Sequence, residues 1–230
     1  MRLVKKPVAL VVFIIFVLFF INFSPVLANN LWDTRGHWAE REVSLLVTKG
    51  IINGFPDGSF RPEKEVTRAQ FVKMIVEALG SGNDAKILET VSSPFKDVAD
   101  SHWAKGYLLS AVERGIISAE DKNFRPDQPI KRVDMTAMVV KALGLQKQAE
   151  LMMNQKLRFD DSIDIPDWAV GYVAVASGSS IITGMPDNTF RPNQTATRAQ
   201  AAVIISRMLE QMGTTYDVYG FIKKKVRAFR

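Results

Sequence analysis

Cysteine is absent from this 230-residue chain, and histidine occurs only twice. Without disulfides, an exported fold must rely on packing. His37 and His102 each stand directly before a tryptophan and match no zinc-ligand spacing, so local capping or packing is the role expected of them. No nucleophile with a recognisable base, no glycine-rich phosphate loop and no cofactor fingerprint is visible, so the sequence predicts no catalytic residue, no metal and no cofactor. A long hydrophobic run is missing too. Val8 to Phe23 is apolar except for Asn22, and its roughly 15 apolar residues fall short of the about 20 that a spanning helix needs.

That short run has another reading. Arg2, Lys5 and Lys6 precede it and Val26-Leu27-Ala28 follows, which makes residues 1–28 a predicted secretory signal peptide, with an uncleaved anchor as the alternative. The mature protein is therefore expected to work outside the cytoplasm. Those residues carry three of the thirty basic side chains and no acid, so their removal lowers the formal charge from +6 to +3. Lys223, Lys224, Lys225, Arg227 and Arg230 hold five more positive charges, which leaves residues 29–222 near −2. The basicity belongs to the two ends, and a nucleic-acid partner, which requires a basic face on the folded domain, is not expected. The tail, residues 213–230, reads as a solvated end or as a contact to anionic polymer or membrane.

Repetition is what the sequence has in abundance. Trp38, Trp103 and Trp168 recur at intervals of 65 residues, followed by Phe60-Arg61-Pro62, Phe124-Arg125-Pro126 and Phe190-Arg191-Pro192. After each tryptophan comes a segment with apolar residues at helical spacing, closed by Gly50-Ile51-Ile52, Gly115-Ile116-Ile117 or Ser180-Ile181-Ile182. Turns follow at Pro56-Asp57-Gly58 and Pro186-Asp187-Asn188, whereas Glu120-Asp121-Lys122 specifies its turn less well. A second helix is predicted in every copy from the stripes Phe71, Met74, Ile75; Met135, Met138, Val139; and Ala201, Ile204, Ile205. Thr67 with Gln70, and Thr197 with Gln200, form capping boxes, while Lys131 cannot accept a hydrogen bond and leaves the second copy uncapped. The fold class is mostly α, with linkers at residues 80–94 and 144–158, the second able to form a short helix.

Each cap position, filled by Thr67, Lys131 or Thr197, is followed by an arginine, Arg68, Arg132 or Arg198, whose charge opposes the helix dipole. Two readings are open. Each side chain is solvated or paired with a carboxylate such as Asp57 or Asp187; or free backbone N–H groups and the guanidinium converge on a bound anion. Asp97, Asp100, Asp160, Asp161 and Asp164 cluster ahead of the first helices; as paired carboxylates they suggest glycan hydrolysis, and as helix-start acids they need no function.

Taken together, the tryptophan, the following helix, Gly-Ile-Ile, Pro-Asp-Gly-Ser-Phe-Arg-Pro and Thr-Arg-Ala-Gln of copy one, with variants of each in copies two and three and a signal peptide ahead, resemble the surface-layer homology domain of bacterial envelope proteins. Phe95-Lys96-Asp97-Val98 with His102-Trp103-Ala104, and Phe159-Asp160-Asp161 with Trp168-Ala169, match the start of that repeat. The resemblance covers nearly all of residues 31–212 and divides the chain into copies at residues 29–80, 95–144 and 159–212. It implies three copies around a pseudo-threefold axis with grooves between neighbours. It also implies noncovalent anchoring to a pyruvylated secondary cell-wall polymer, or to pyruvylated glycan associated with peptidoglycan. By that resemblance Arg68, Arg132 and Arg198 hold the pyruvyl carboxylate, a target suited to a planar guanidinium. Asp57 and Asp187 line the site, and Trp38, Trp103 and Trp168 serve as sugar-stacking groove walls or as core scaffold. Gln70 and Gln200 stand where the family usually has glutamate, and the second copy departs further, so copies one and three are expected to bind best. The alternative is an envelope scaffold that binds a partner protein rather than glycan, and, with little chain after the third copy, a separate envelope protein as cargo is a further expected partner.

Overall fold

The computed structural model describes residues 31–213; the predicted signal peptide and the tail beyond Gly213 lie outside the described residues. Eight α-helices form among them: α1 Glu40–Thr48, α2 Arg68–Ala78, α3 Gly82–Leu88, α4 Lys105–Glu113, α5 Arg132–Ala142, α6 Gln146–Leu151, α7 Val170–Gly178 and α8 Arg198–Gln211. Short 3₁₀ turns at Trp32–Thr34, Ser162–Asp164 and Asp167–Ala169 complete the regular structure, and strand pairing among the described residues is confined to three isolated bridges. None of the described helices is long and apolar enough to cross a membrane.

The apolar stripes become one shared core. Phe71, Ile75, Met135, Val139, Ala201 and Ile205 are fully buried, and the isoleucine pairs behind α1, α4 and α7 fill the space around them. The second helices, α2, α5 and α8, touch one another at the centre. Each also packs against the first helix of the next copy: α2 on α4, α5 on α7, and α8 back on α1. Helix α5 buries eight of its eleven residues, so it depends on neighbouring copies for cover, and the same holds for the apolar faces of the other central helices.

Backbone hydrogen bonds show the same order. The Val66 N–H donates to the Ala196 carbonyl, Ala196 N–H to Ile130, and Ile130 N–H to Val66, a closed triangle of 2.9 to 3.0 Å bonds at the approach to the three central helices. The bridges Thr67 with Pro129, Lys131 with Thr195, and Glu65 with Thr197 flank it in the same cyclic sense. All three residues of the triangle are completely buried, where an unpaired amide would be costly.

Both predicted capping boxes are present, with Thr67 accepting from Gln70 and Thr197 from Gln200, and Lys131 caps nothing. The linkers hold more order than composition indicates. Besides α6, the segment after copy one forms α3, despite Gly82 and Asn83 in its first turn. Packing accounts for it, because α3 lies so close to α4 that a methyl group on Gly106 would sit 2.0 Å from the Ala85 carbonyl oxygen. Gly171 faces Ala149 on α6 in the same way, at 1.9 Å. The corresponding residue of α1 is Arg41, which is exposed.

Candidate functional site

The three arginines sit at the first position of α2, α5 and α8, and each reaches out of its own copy. Arg68 Nε donates to the Phe124 carbonyl at 2.9 Å, Arg132 Nε to Phe190 at 2.9 Å, and Arg198 Nε to Phe60 at 2.8 Å. The guanidinium carbons lie 4.8, 5.4 and 4.4 Å from the ring centres of the same phenylalanines, within cation–π range. A cation at a helix start is thus compensated by a neighbouring carbonyl and ring, and one face of each arginine latches two copies together. Burial lowers the affinity of all three for their protons, most for Arg132, which falls to about 10 and is 5 % exposed.

The remaining face of the guanidinium looks into a groove. Arg132 of copy two, Thr183, Gly184 and Arg207 of copy three, and Trp38 of copy one line a cavity of about 510 Å³. A smaller one of about 170 Å³ brings Arg68 of copy one together with Ser118, Asp121 and Asp134 of copy two and Trp168 of copy three. Both draw on all three copies in the same cyclic order: an arginine from one, floor and turn from the next, a tryptophan from the third. Arg198 follows this order toward copy one, where its Nη2 donates to the Asn53 carbonyl at 3.0 Å.

Residues 33–72, 94–136 and 158–202 match the S-layer homology domain. The chain belongs to that family. Similar proteins include an amylopullulanase of Thermoanaerobacterium thermosulfurigenes, 36% identical over 79% of this chain and 10% of its own length. S-layer protein EA1 of Bacillus anthracis is 28% identical over 81% of this chain and 21% of its own. The cellulosome-anchoring protein of Acetivibrio thermocellus is 31% identical over 52% of this chain and 26% of its own. The chain thus spans between a tenth and about a quarter of these relatives. Membership makes it a secreted, cell-wall or S-layer associated anchoring module.

Within the S-layer homology framework, several side chains fall where the sequence did not put them. Trp38, Trp103 and Trp168 are 61, 49 and 47 % exposed, which overturns core scaffold as their role and leaves three surface rings. Asp57 and Asp187 pair with Arg61 and Arg191, four residues on, rather than with Arg68 or Arg198. The Ser59 hydroxyl and then Arg61 hold the Asp57 carboxyl far below the usual carboxylate range; Thr189 and Arg191 bring Asp187 down to about 2. Copy two builds a shorter version of this turn. Six residues separate Ile117 from Phe124, against seven between Ile52 and Phe60 and between Ile182 and Phe190. Asp121 still accepts from Asn123 N–H and faces Arg125, so it is the counterpart of Asp57 that the altered spacing hid.

Asp97 and Asp161 are not helix-start acids. Each carboxylate clamps two backbone amides, Phe124 and Arg125, or Phe190 and Arg191, at 2.6 to 2.8 Å, and Asp33 does the same for Phe60 and Arg61. The clamped Arg61, Arg125 and Arg191 all have φ between 57° and 59°, a left-handed conformation that a non-glycine residue holds only when its surroundings impose it. His37 and His102 accept the N–H of Ala39 and Ala104, and so act as local caps. Arg207, which bonds the Ile181 carbonyl and the Thr183 hydroxyl, is the groove residue that sequence reasoning missed; its position reads Glu77 and Lys141 in the other copies, so no repeated motif marks it.

Proposed function

We propose that the protein is a noncatalytic anchor that holds an acidic, pyruvylated secondary cell-wall polymer in the grooves between its copies, and that the copies are related by a pseudo-threefold axis. The cyclic hydrogen bonds around Val66, Ile130 and Ala196 support the axis. One observation carries the ligand class: Arg132, nearly inaccessible and with no carboxylate in salt-bridge contact among the described residues, lines a cavity whose other charged residue is Arg207. The nearest attractive carboxylate, Asp161, is already committed to the amides of Phe190 and Arg191, so burial of the cation is only partly offset and a bound carboxylate would relieve it, the guanidinium fork being shaped to take one bidentately. Exposed Trp38 on the rim offers a ring face for a sugar.

Enzyme relatives align through a small share of their length, as with the amylopullulanase at 10%, which supports a shared anchoring part rather than a shared reaction. The relative named a cellulosome-anchoring protein favours an anchor in its own right, and an envelope protein as separate cargo is compatible with that role.

Alanine at the arginines would also break the latches between copies, so the test uses the exposed tryptophan. Cell wall is purified, and half is treated with mild acid to remove pyruvate ketals. The native protein is expected to pellet with untreated wall only, and Trp38→Ala to pellet roughly two- to tenfold less well, as loss of a stacked ring predicts. Equal pelleting with treated wall would refute a pyruvyl ligand.

A further inference from the structure

We propose that the grooves are chemically unequal, and that Asp134 is an internal ligand that closes the groove of Arg68 to anions and leaves the groove of Arg132 as the stronger carboxylate site of the two. This rests on the reading of the grooves as carboxylate sites. Asp134 Oδ2 lies 3.3 Å from Arg68 Nη1, and both side chains are largely shielded, at 30 and 22 % exposure. A polymer carboxylate entering there has to displace a tethered one whose effective concentration is high. Asp121 lines the same groove, so the charges of Arg68 and Lys141 are matched within it.

The cause is visible at the cap. In copies one and three the third helical residue is Gln70 or Gln200, whose side-chain oxygen is engaged by the N–H of Thr67 or Thr197. In copy two Lys131 supplies no reciprocal hydroxyl and the third residue is Asp134, a carboxylate with no capping box to join. It turns instead to the arginine of the preceding copy. The groove of Arg132 has Gln200 at that place and Arg207 beside it, with no carboxylate in its lining. The expectation that copies one and three bind best therefore becomes a statement about grooves: the floor of the preferred groove is copy three and its arginine comes from copy two.

The test follows the arginine Nε–H resonances by nitrogen–proton NMR in the intact secreted protein, each already held by a carbonyl and so slow to exchange. The probe is a methyl hexopyranoside carrying a 4,6-linked pyruvate ketal. In the native protein Arg132 is expected to respond, and Arg68 to respond only at a concentration at least about tenfold higher. Asp134→Asn should bring the Arg68 response down to the Arg132 range, and Gln200→Glu should push the Arg132 response up by a similar factor. Arg68 responding with Arg132 in the native protein overturns the proposal. So does an Arg132 response accompanied by a silent Arg68 in Asp134→Asn, which leaves the carboxylate reading standing. Silence at every arginine in all three proteins overturns both.

Discussion

Single residues in this protein are held by charge at short range, and the locked turns show how far that goes. Asp187 accepts from the hydroxyl and N–H of Thr189 and from Arg191, bonds that favour its ionised form and bring it to about 2. Since the folded value lies below that of an unfolded aspartate, about 3.9, the contribution is complete above that pH and is lost as pH falls through about 2. Carbon-13 NMR of the Asp187 carboxyl should therefore show a midpoint near 2, and one near about 4 would mean that the turn is open in solution. The Asp33, Asp97 and Asp161 clamps belong to the same scale. A carboxylate that satisfies two adjacent amides makes a left-handed arginine tolerable, and through it sets where the next proline and helix begin.

Helices meet at distances that individual glycines decide. A methyl group on Gly106 would collide with the Ala85 carbonyl, so Gly106→Ala should cost about 2 kcal/mol, a fall in Tm of about 4–8 °C. The reverse substitution at a helix end should help. Ser180 ends α7 with φ 57°, where Gly50 and Gly115 end α1 and α4, and Ser180→Gly should gain about 1 kcal/mol and about 2–4 °C. Thermal unfolding by circular dichroism checks both, and equal shifts of one sign would contradict these geometries. Elements were also what the sequence displayed most clearly. The stripes of α2, α5 and α8 were legible because they are local and recur three times, and the two capping boxes, with the missing cap at Lys131, because each is read from residues three apart. Helix α3 was not, because its stability comes from contact with α4, some twenty residues further along the chain. The arginines were legible as a repeated oddity. Their carbonyl partners lie 56 to 138 residues away, and no spacing reveals such a pairing. Trp38, Trp103 and Trp168 were ambiguous for a related reason: hydrophobicity alone does not say whether a ring covers a core or walls a groove.

At the scale of the whole molecule, no copy is self-sufficient. The first helix of each copy is covered by the second helix of the copy before it, and α8 closes the circuit on α1. A chain ended at Gly144 would keep copies one and two but strand the Val66 amide and uncover α1, both of which depend on copy three. It is expected to lose helical signal beyond that of the removed residues, and a cooperative thermal transition in that truncation would contradict the closed circuit. The triangle of Val66, Ile130 and Ala196 has a mechanical meaning as well. In a linear repeat array each unit touches only its neighbours, so tension on one end peels units off in turn. Here a pull on α8 is transmitted at once to α1 and to the central bonds of all three copies, so the body yields as a single rivet head rather than as a zip.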